Sequence, residues 1–177
     1  MRLSAHLKSK PVKKECGPII STYDAGNGVL FRGVGKIVTI SKFKSHIKDR
    51  KPMSTVRWLH DDLNKWFTQK FGWPARNGVG AYNYESDAAI YGYPYVFYPV
   101  GKLKFVWSPD VSDLWGTVVS HAIRERKHFK NLIPVLETYT DKNLEAAMES
   151  HCEIYFNCNE YYLTTKEIAR QWGHEDR

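Results

Sequence analysis

Short runs rich in aromatic and β-branched residues, each closed off by glycine, proline or asparagine, recur along this chain of 177 residues. Residues 28–35 hold Val29, Leu30, Phe31 and Val34 between glycines, and residues 36–41 continue in an extended composition. A further run at 95–100 is turned by Gly101 into 102–107, where Lys102 and Lys104 alternate with Leu103 and Phe105. Two more, 152–156 and 161–165, flank a polar turn at 157–160. Runs of about four to eight residues with such boundaries read as strands. Between them lies helical spacing. Trp58, Leu59, Leu63, Trp66 and Phe67 make one stripe on a helix that Ser54 or Thr55 can cap and Gly72 ends. A short helix is expected over 86–92, and a mainly helical region over 111–149, broken at Pro134. This mixture predicts a single α+β domain over 19–165, preceded by a basic, solvated or edge segment at 1–18 and followed by a polar tail at 166–177.

Charge is distributed unevenly. Residues 1–70 carry 15 basic and 5 acidic side chains, and the remainder carries 11 and 14, which together give the net charge of +7. A hydrophobic content of 42% with 14% aromatics excludes wholesale disorder. No apolar run approaches the ~18 residues of a membrane helix. The first residues hold a charge but no apolar core of signal-peptide length. Three cysteines, Cys16, Cys152 and Cys158, form no even framework and no zinc spacing, and read as small buried hydrophobes. The expected setting is a reducing cytoplasm.

Common catalytic signatures are missing. There is no phosphate-binding glycine loop, no Gly-x-Ser-x-Gly elbow and no histidine pair at ligand spacing, so no metal is expected. The pair Gly33 and Gly35 is too short for a dinucleotide fingerprint. Two charges stand out instead. Arg32 lies alone in an apolar strand, where it either pairs with a buried carboxylate, sits at an edge, or holds a ligand whose oxygens suit its fork. Glu153 opens another apolar strand, either as an exposed strand-end carboxylate or as a functional group.

Together these residues bring in a family. Residues 30–34, Leu-Phe-Arg-Gly-Val, resemble the strand that carries the NAD-binding arginine of arginine-type mono-ADP-ribosyltransferases, including those of tailed phages. Residues 79–92 resemble their second signature, a Ser-x-Ser strand running into a helix that ends Ala-x-x-Phe/Tyr-Gly, here Ala88 to Gly92. Residues 150–163 resemble the catalytic strand, with Glu153 on the catalytic glutamate. Most of 28–165 is also similar to a group of small tailed-phage proteins, through Phe31 to Gly33, His60, Asn64, Lys70 to Gly72, Arg76, Tyr91, Gly92, Pro99 to Gly101, Trp107 to Pro109 and Glu153. Two positions depart from the transferase pattern. Gly80, Ala81 and Tyr82 stand at the Ser-x-Ser element, and His151 stands where arginine-modifying enzymes carry a second glutamate, which points away from arginine as acceptor.

The resemblance implies a split β-sheet core with flanking helices and a phage protein that transfers ADP-ribose from NAD to a host protein or nucleic acid. Arg32 would hold the pyrophosphate and Gly33 would let backbone approach the nicotinamide amide. Glu153 would bind the ribose hydroxyl and stabilise the oxocarbenium-like transition state. Tyr82, Tyr84 and Tyr91 either stack on nicotinamide or are ordinary aromatics. His151 is either a base or acceptor-selecting group, or a solvated strand-end histidine. Two other readings stand beside this one: an inactive module that blocks a host defence or transcription complex, and a nucleic-acid binder. The last rests on a basic loop at 42–52, in which Lys42, Lys44, Lys48, Arg50 and Lys51 either dock phosphates or are simply solvated.

Overall fold

A computed structural model describes residues 10–45, 48, 50, 55–119 and 129–174. Two antiparallel sheets organise them into one α+β domain. The first has four strands: β1 (Phe31–Val34), β2 (Ile40–Lys44), β4 (Tyr93–Pro99) and β7 (Glu160–Thr164), in the order β1-β4-β7-β2. The second has three: β3 (Val79–Ala81), β5 (Phe105–Val106) and β6 (Ile154–Phe156), in the order β3-β6-β5. A single bridge joins them, where Phe31 and Tyr82 exchange both backbone hydrogen bonds at 2.6 and 2.8 Å.

The two C-terminal runs are strands, but they do not pair with each other. β6 lies between β3 and β5, whereas β7 lies between β4 and β2. All three residues of β6 and four of the five in β7 are buried, a two-sided burial that a lone hairpin cannot supply. The chain at 157–159 therefore crosses from one sheet to the other. The expected basic loop at 42–52 also begins as a strand, since β2 includes Lys42 to Lys44. Phe43 stacks on Tyr161 at 5.4 Å, and the exposed Lys42 and Lys44 guard the sheet edge. Of the expected strand at 102–107, only β5 and a bridge from Trp107 to Thr140 form.

Helix α1 (Gly17–Asp24) follows helical residues 10–15 and corrects the picture of a solvated start. Val12, Cys16, Ile19, Ile20 and Tyr23 are buried in one cluster with β4. Pro18 stands in the first turn of α1, where a missing N–H costs no helical bond. Helix α2 (Arg57–Phe71) ends at Gly72, whose φ of 74° is the left-handed cap glycine provides. Its N-cap is Val56, not Thr55, and Ser54 lies outside the described residues. The buried stripe runs through Leu59, Leu63 and Phe67, while Trp58 is 54% exposed, being about 100° off that stripe.

Helix α3 (Glu85–Ala89) packs on β1. A Cβ at Gly33 would stand 2.0 Å from the Ala88 carbonyl oxygen, so only glycine permits this approach. In the region expected to be helical, a π-helix (Leu114–Val119), a 3-10 turn (Phe129–Leu132), α4 (Ile133–Leu136) and α5 (Leu144–Glu149) are described, and residues 120–128 lie outside the description. Pro134 opens α4 instead of breaking a helix. The C-terminal α6 (Lys166–Gln171) buries Ala169, and Trp172 and His174 just beyond it are buried too. No helix among the described residues is long and apolar enough to cross a membrane.

Candidate active site

Glu153 immediately precedes β6, and its backbone N–H donates to the Ser112 carbonyl at 2.7 Å. Its side chain lies over Gly80 of the neighbouring strand. A Cβ at Gly80 would stand 2.3 Å from Glu153 Oε1, so the missing side chain makes the space for the carboxylate. Desolvation, and then the Asp113 carboxylate, push Glu153 above the usual carboxylate range. Arg76, a hydrogen bond from Tyr155 and Arg50 act in the opposite direction. Glu153 and Tyr155 are two residues apart in extended chain and share a face.

Arg32 reaches the same place from β1. Its Nη1 donates to the Gly80 carbonyl at 2.6 Å, and its guanidinium lies 5.7 Å from the Tyr161 ring centroid. Its Nε is buried without a hydrogen-bond partner among the described residues. Arg76, in a 3-10 turn (Ala75–Asn77), donates through Nη1 to the Tyr155 hydroxyl. The Arg76 Nε is likewise buried and unpartnered among the described residues. Arg50 turns inward, with Nη1 donating to the Gly78 carbonyl at 3.1 Å and to the Arg76 carbonyl at 3.4 Å. Desolvation, followed by the charges of Arg76 and Arg32, lowers its pKa.

Aromatic rings wall the carboxylates. Tyr82 stacks on Tyr91 with centroids 5.7 Å apart and planes 12° apart. The Tyr91 hydroxyl donates to Asp113, whereas the buried Tyr82 hydroxyl has no partner in hydrogen-bonding geometry among the described residues. Burial, and then the Glu153 charge, hold the Tyr82 phenol far above its ordinary range. Arg32, Tyr82, Tyr91 and Glu153 thus gather in one place.

The other expected residues are placed as follows. Gly33 faces the end of α3 as described above. His151 is exposed, stacks on Tyr84 at 3.6 Å and lies 3.2 Å from Asp87 Oδ2. Of the basic block, Lys42 pairs with Glu15 at 2.6 Å and Glu160 at 2.9 Å on the sheet edge. Lys44 and Lys48 are exposed, Arg50 belongs to the inner cluster, and Lys51 lies outside the described residues. The three cysteines are free and buried, and burial first of all pushes the Cys16 and Cys158 thiols up to about 12, as befits small core residues. No group of three His, Cys, Asp or Glu residues able to hold a metal occurs among the described residues.

Sequence reasoning did not single out Tyr155, Asp113 or Arg76 as site residues. Tyr155 was within reach through its two-residue spacing from Glu153. Asp113 and Arg76 sit in turn-rich segments with no periodic signal. Beside them His60, on α2, bonds Asn77 Oδ1 at 3.0 Å, and Asn64, one turn further, bonds the same oxygen at 2.9 Å. No protein-family model, no curated protein and no solved structure matches the chain.

Proposed function

We propose that this protein is an ADP-ribosyltransferase-like enzyme that transfers ADP-ribose from NAD to a host protein or nucleic acid. One observation carries the reading. The three segments that resemble the family signatures are far apart in sequence, yet they meet: Arg32 on β1 bonds the carbonyl of Gly80 on β3, and Gly80 makes room for Glu153 beside β6. The orphaned donors fit the substrate. The free Nε of Arg32 suits a pyrophosphate oxygen, and the unpartnered Tyr82 hydroxyl lies within electrostatic reach of Glu153.

Bound NAD supplies an activated glycosidic bond to a cationic nicotinamide. Arg32 neutralises the pyrophosphate and fixes the dinucleotide along β1. The stacked Tyr82 and Tyr91 offer a face for the nicotinamide ring. Glu153, as a carboxylate, accepts a hydrogen bond from the ribose hydroxyl and stabilises positive charge that develops at the anomeric carbon as the C–N bond breaks. The bond's electron pair leaves with nicotinamide, the acceptor attacks the anomeric carbon, and its proton goes to solvent or to a base. His151, exposed on Tyr84 two residues from Glu153, is the candidate for that base or for acceptor selection.

Gly80 replaces the serine that positions the glutamate in the family pattern. Here Tyr155 stands in that place: it shares a face with Glu153, its hydroxyl accepts from Arg76, and it favours the charged form of Glu153. Glu153→Gln keeps the shape and removes the charge. It is expected to lower NAD cleavage by about a thousandfold while leaving the fold intact by circular dichroism. Undiminished cleavage in that variant contradicts the site.

A further inference from the structure

Three guanidinium groups converge beside Gly78 and Gly80, and only one of them, Arg32, lies in a segment that resembles the transferase family. Arg50 arrives from the chain between β2 and α2, and Arg76 from the turn before β3. Arg50 feels the charges of both Arg76 and Arg32. Among the described residues none of the three makes an ion pair within 4 Å, although Glu153 and Asp113 lie in the neighbourhood. Glu153 and Tyr155 favour the charged form of Arg76, whereas Arg50 feels the two neighbouring arginines more strongly than Glu153, a repulsion that a bound anion relieves.

The donor inventory points the same way. A guanidinium carries five N–H donors. Arg32 spends Nη1 on the Gly80 carbonyl, Arg50 spends Nη1 on the carbonyls of Arg76 and Gly78, and Arg76 spends Nη1 on the Tyr155 hydroxyl. The Nε atoms of Arg32 and Arg76 are buried with no partner among the described residues. Buried donors left without a partner are uncommon in folded proteins. Two of them on neighbouring arginines leave donor capacity unspent beside Gly78 and Gly80.

We propose that Arg50 and Arg76 join Arg32 to form a three-arginine cradle for a phosphate oxyanion, with the fork geometry that suits a pyrophosphate. This deepens the transferase reading and rests on it only for the natural carrier of the phosphate, either the donor dinucleotide or a nucleic-acid acceptor. Arg50 also ties down the 76–80 turn through two carbonyls, so the cradle and the seat of Glu153 are built by the same bonds.

The test is calorimetric titration of the full chain with inorganic pyrophosphate, against sodium sulfate at matched ionic strength. Saturable pyrophosphate binding is expected, weakened at least tenfold in Arg50→Ala and less in Arg50→Lys, which keeps charge but loses the fork. Arg50→Ala is checked by its melting transition without anion. If it does not fold, Arg50→Lys supplies the comparison. Competition by ADP-ribose assigns the phosphate to the donor, and competition by a short oligonucleotide assigns it to the acceptor. Pyrophosphate that does not bind saturably, binds no better than sulfate, or binds equally to wild type and to the Arg50 variants overturns the cradle. NAD cleavage is measured in parallel. Arg50-dependent pyrophosphate binding without cleavage keeps the cradle and ends the transferase reading, whereas cleavage without such binding does the reverse.

Discussion

Among the described residues the buried tyrosine hydroxyls around β4 are matched, whereas several buried polar atoms around Glu153 are not. On the β4 side the Tyr23 hydroxyl donates to the Phe97 carbonyl and accepts from the Leu30 N–H. Tyr95 accepts from the Val38 N–H at 3.0 Å, and Tyr98 bonds His174 Nδ1 at 2.9 Å. On the other side Tyr82 Oη, Arg32 Nε, Arg76 Nε and His60 Nδ1 are buried without partners among the described residues. A buried donor or acceptor without a partner costs about 1–3 kcal/mol. The four-stranded sheet is thus the stabilising half of the molecule. The junction of β1, β3 and β6 holds hydrogen-bonding capacity in reserve, which the proposed site would use.

Glycines sharpen this contrast most strongly. At Gly33 an added methyl meets a backbone carbonyl of α3 that cannot move without the helix, so Gly33→Ala is expected to lower unfolding free energy by about 3 kcal/mol in urea titration. At Gly80 the added methyl meets the flexible end of Glu153, which can swing aside. Gly80→Ala is therefore expected to cost little stability and about a hundredfold in NAD cleavage, the size seen when one transition-state contact is displaced. Equal stability losses at the two glycines would break the contrast.

Tyrosine hydroxyls come next. Tyr98→Phe strands the His174 nitrogen and is expected to cost about 1–2 kcal/mol, whereas Tyr82→Phe removes an orphaned hydroxyl and is expected to cost nothing or to stabilise slightly. Matched losses in urea titration would mean that Tyr82 has a partner in solution.

A smaller effect is the pH dependence of stability. Burial, and then the Asp113 charge, raise the Glu153 pKa above its ordinary value of 4.5. The folded state therefore keeps its proton longer than the unfolded state, and this residue makes stability fall as pH rises from 4.5 through the folded value. His174 is shifted the other way, below 6.5, mainly by burial, so stability falls as pH drops below 6.5. Glu153→Gln is expected to remove the first slope and leave the second, in melting temperatures recorded across pH. An unchanged profile would show that Glu153 is not desolvated.

The α+β class and α2 are legible in the sequence, the helix from its stripe and its glycine stop, and Arg32 and Glu153 stand out as charges in apolar runs. The amphipathic start was also present, in the spacing of Val12, Cys16, Ile19 and Tyr23, but the neighbouring lysines and prolines masked it. The partner strands of β6 and β7 were not legible, because both runs are apolar and strand pairing depends on contacts distant in sequence. Nor was the convergence of Arg50, Arg76 and Asp113, since each lies in a connecting segment whose path is set by the elements it joins.

The most direct measurement incubates the purified chain with NAD labelled in both its nicotinamide and adenine halves, together with a bacterial host lysate, beside Glu153→Gln. The account predicts released nicotinamide and label from the adenine half on a protein or nucleic acid, both lost in the variant. Intact NAD with the wild-type chain, or release that the variant matches, would contradict it.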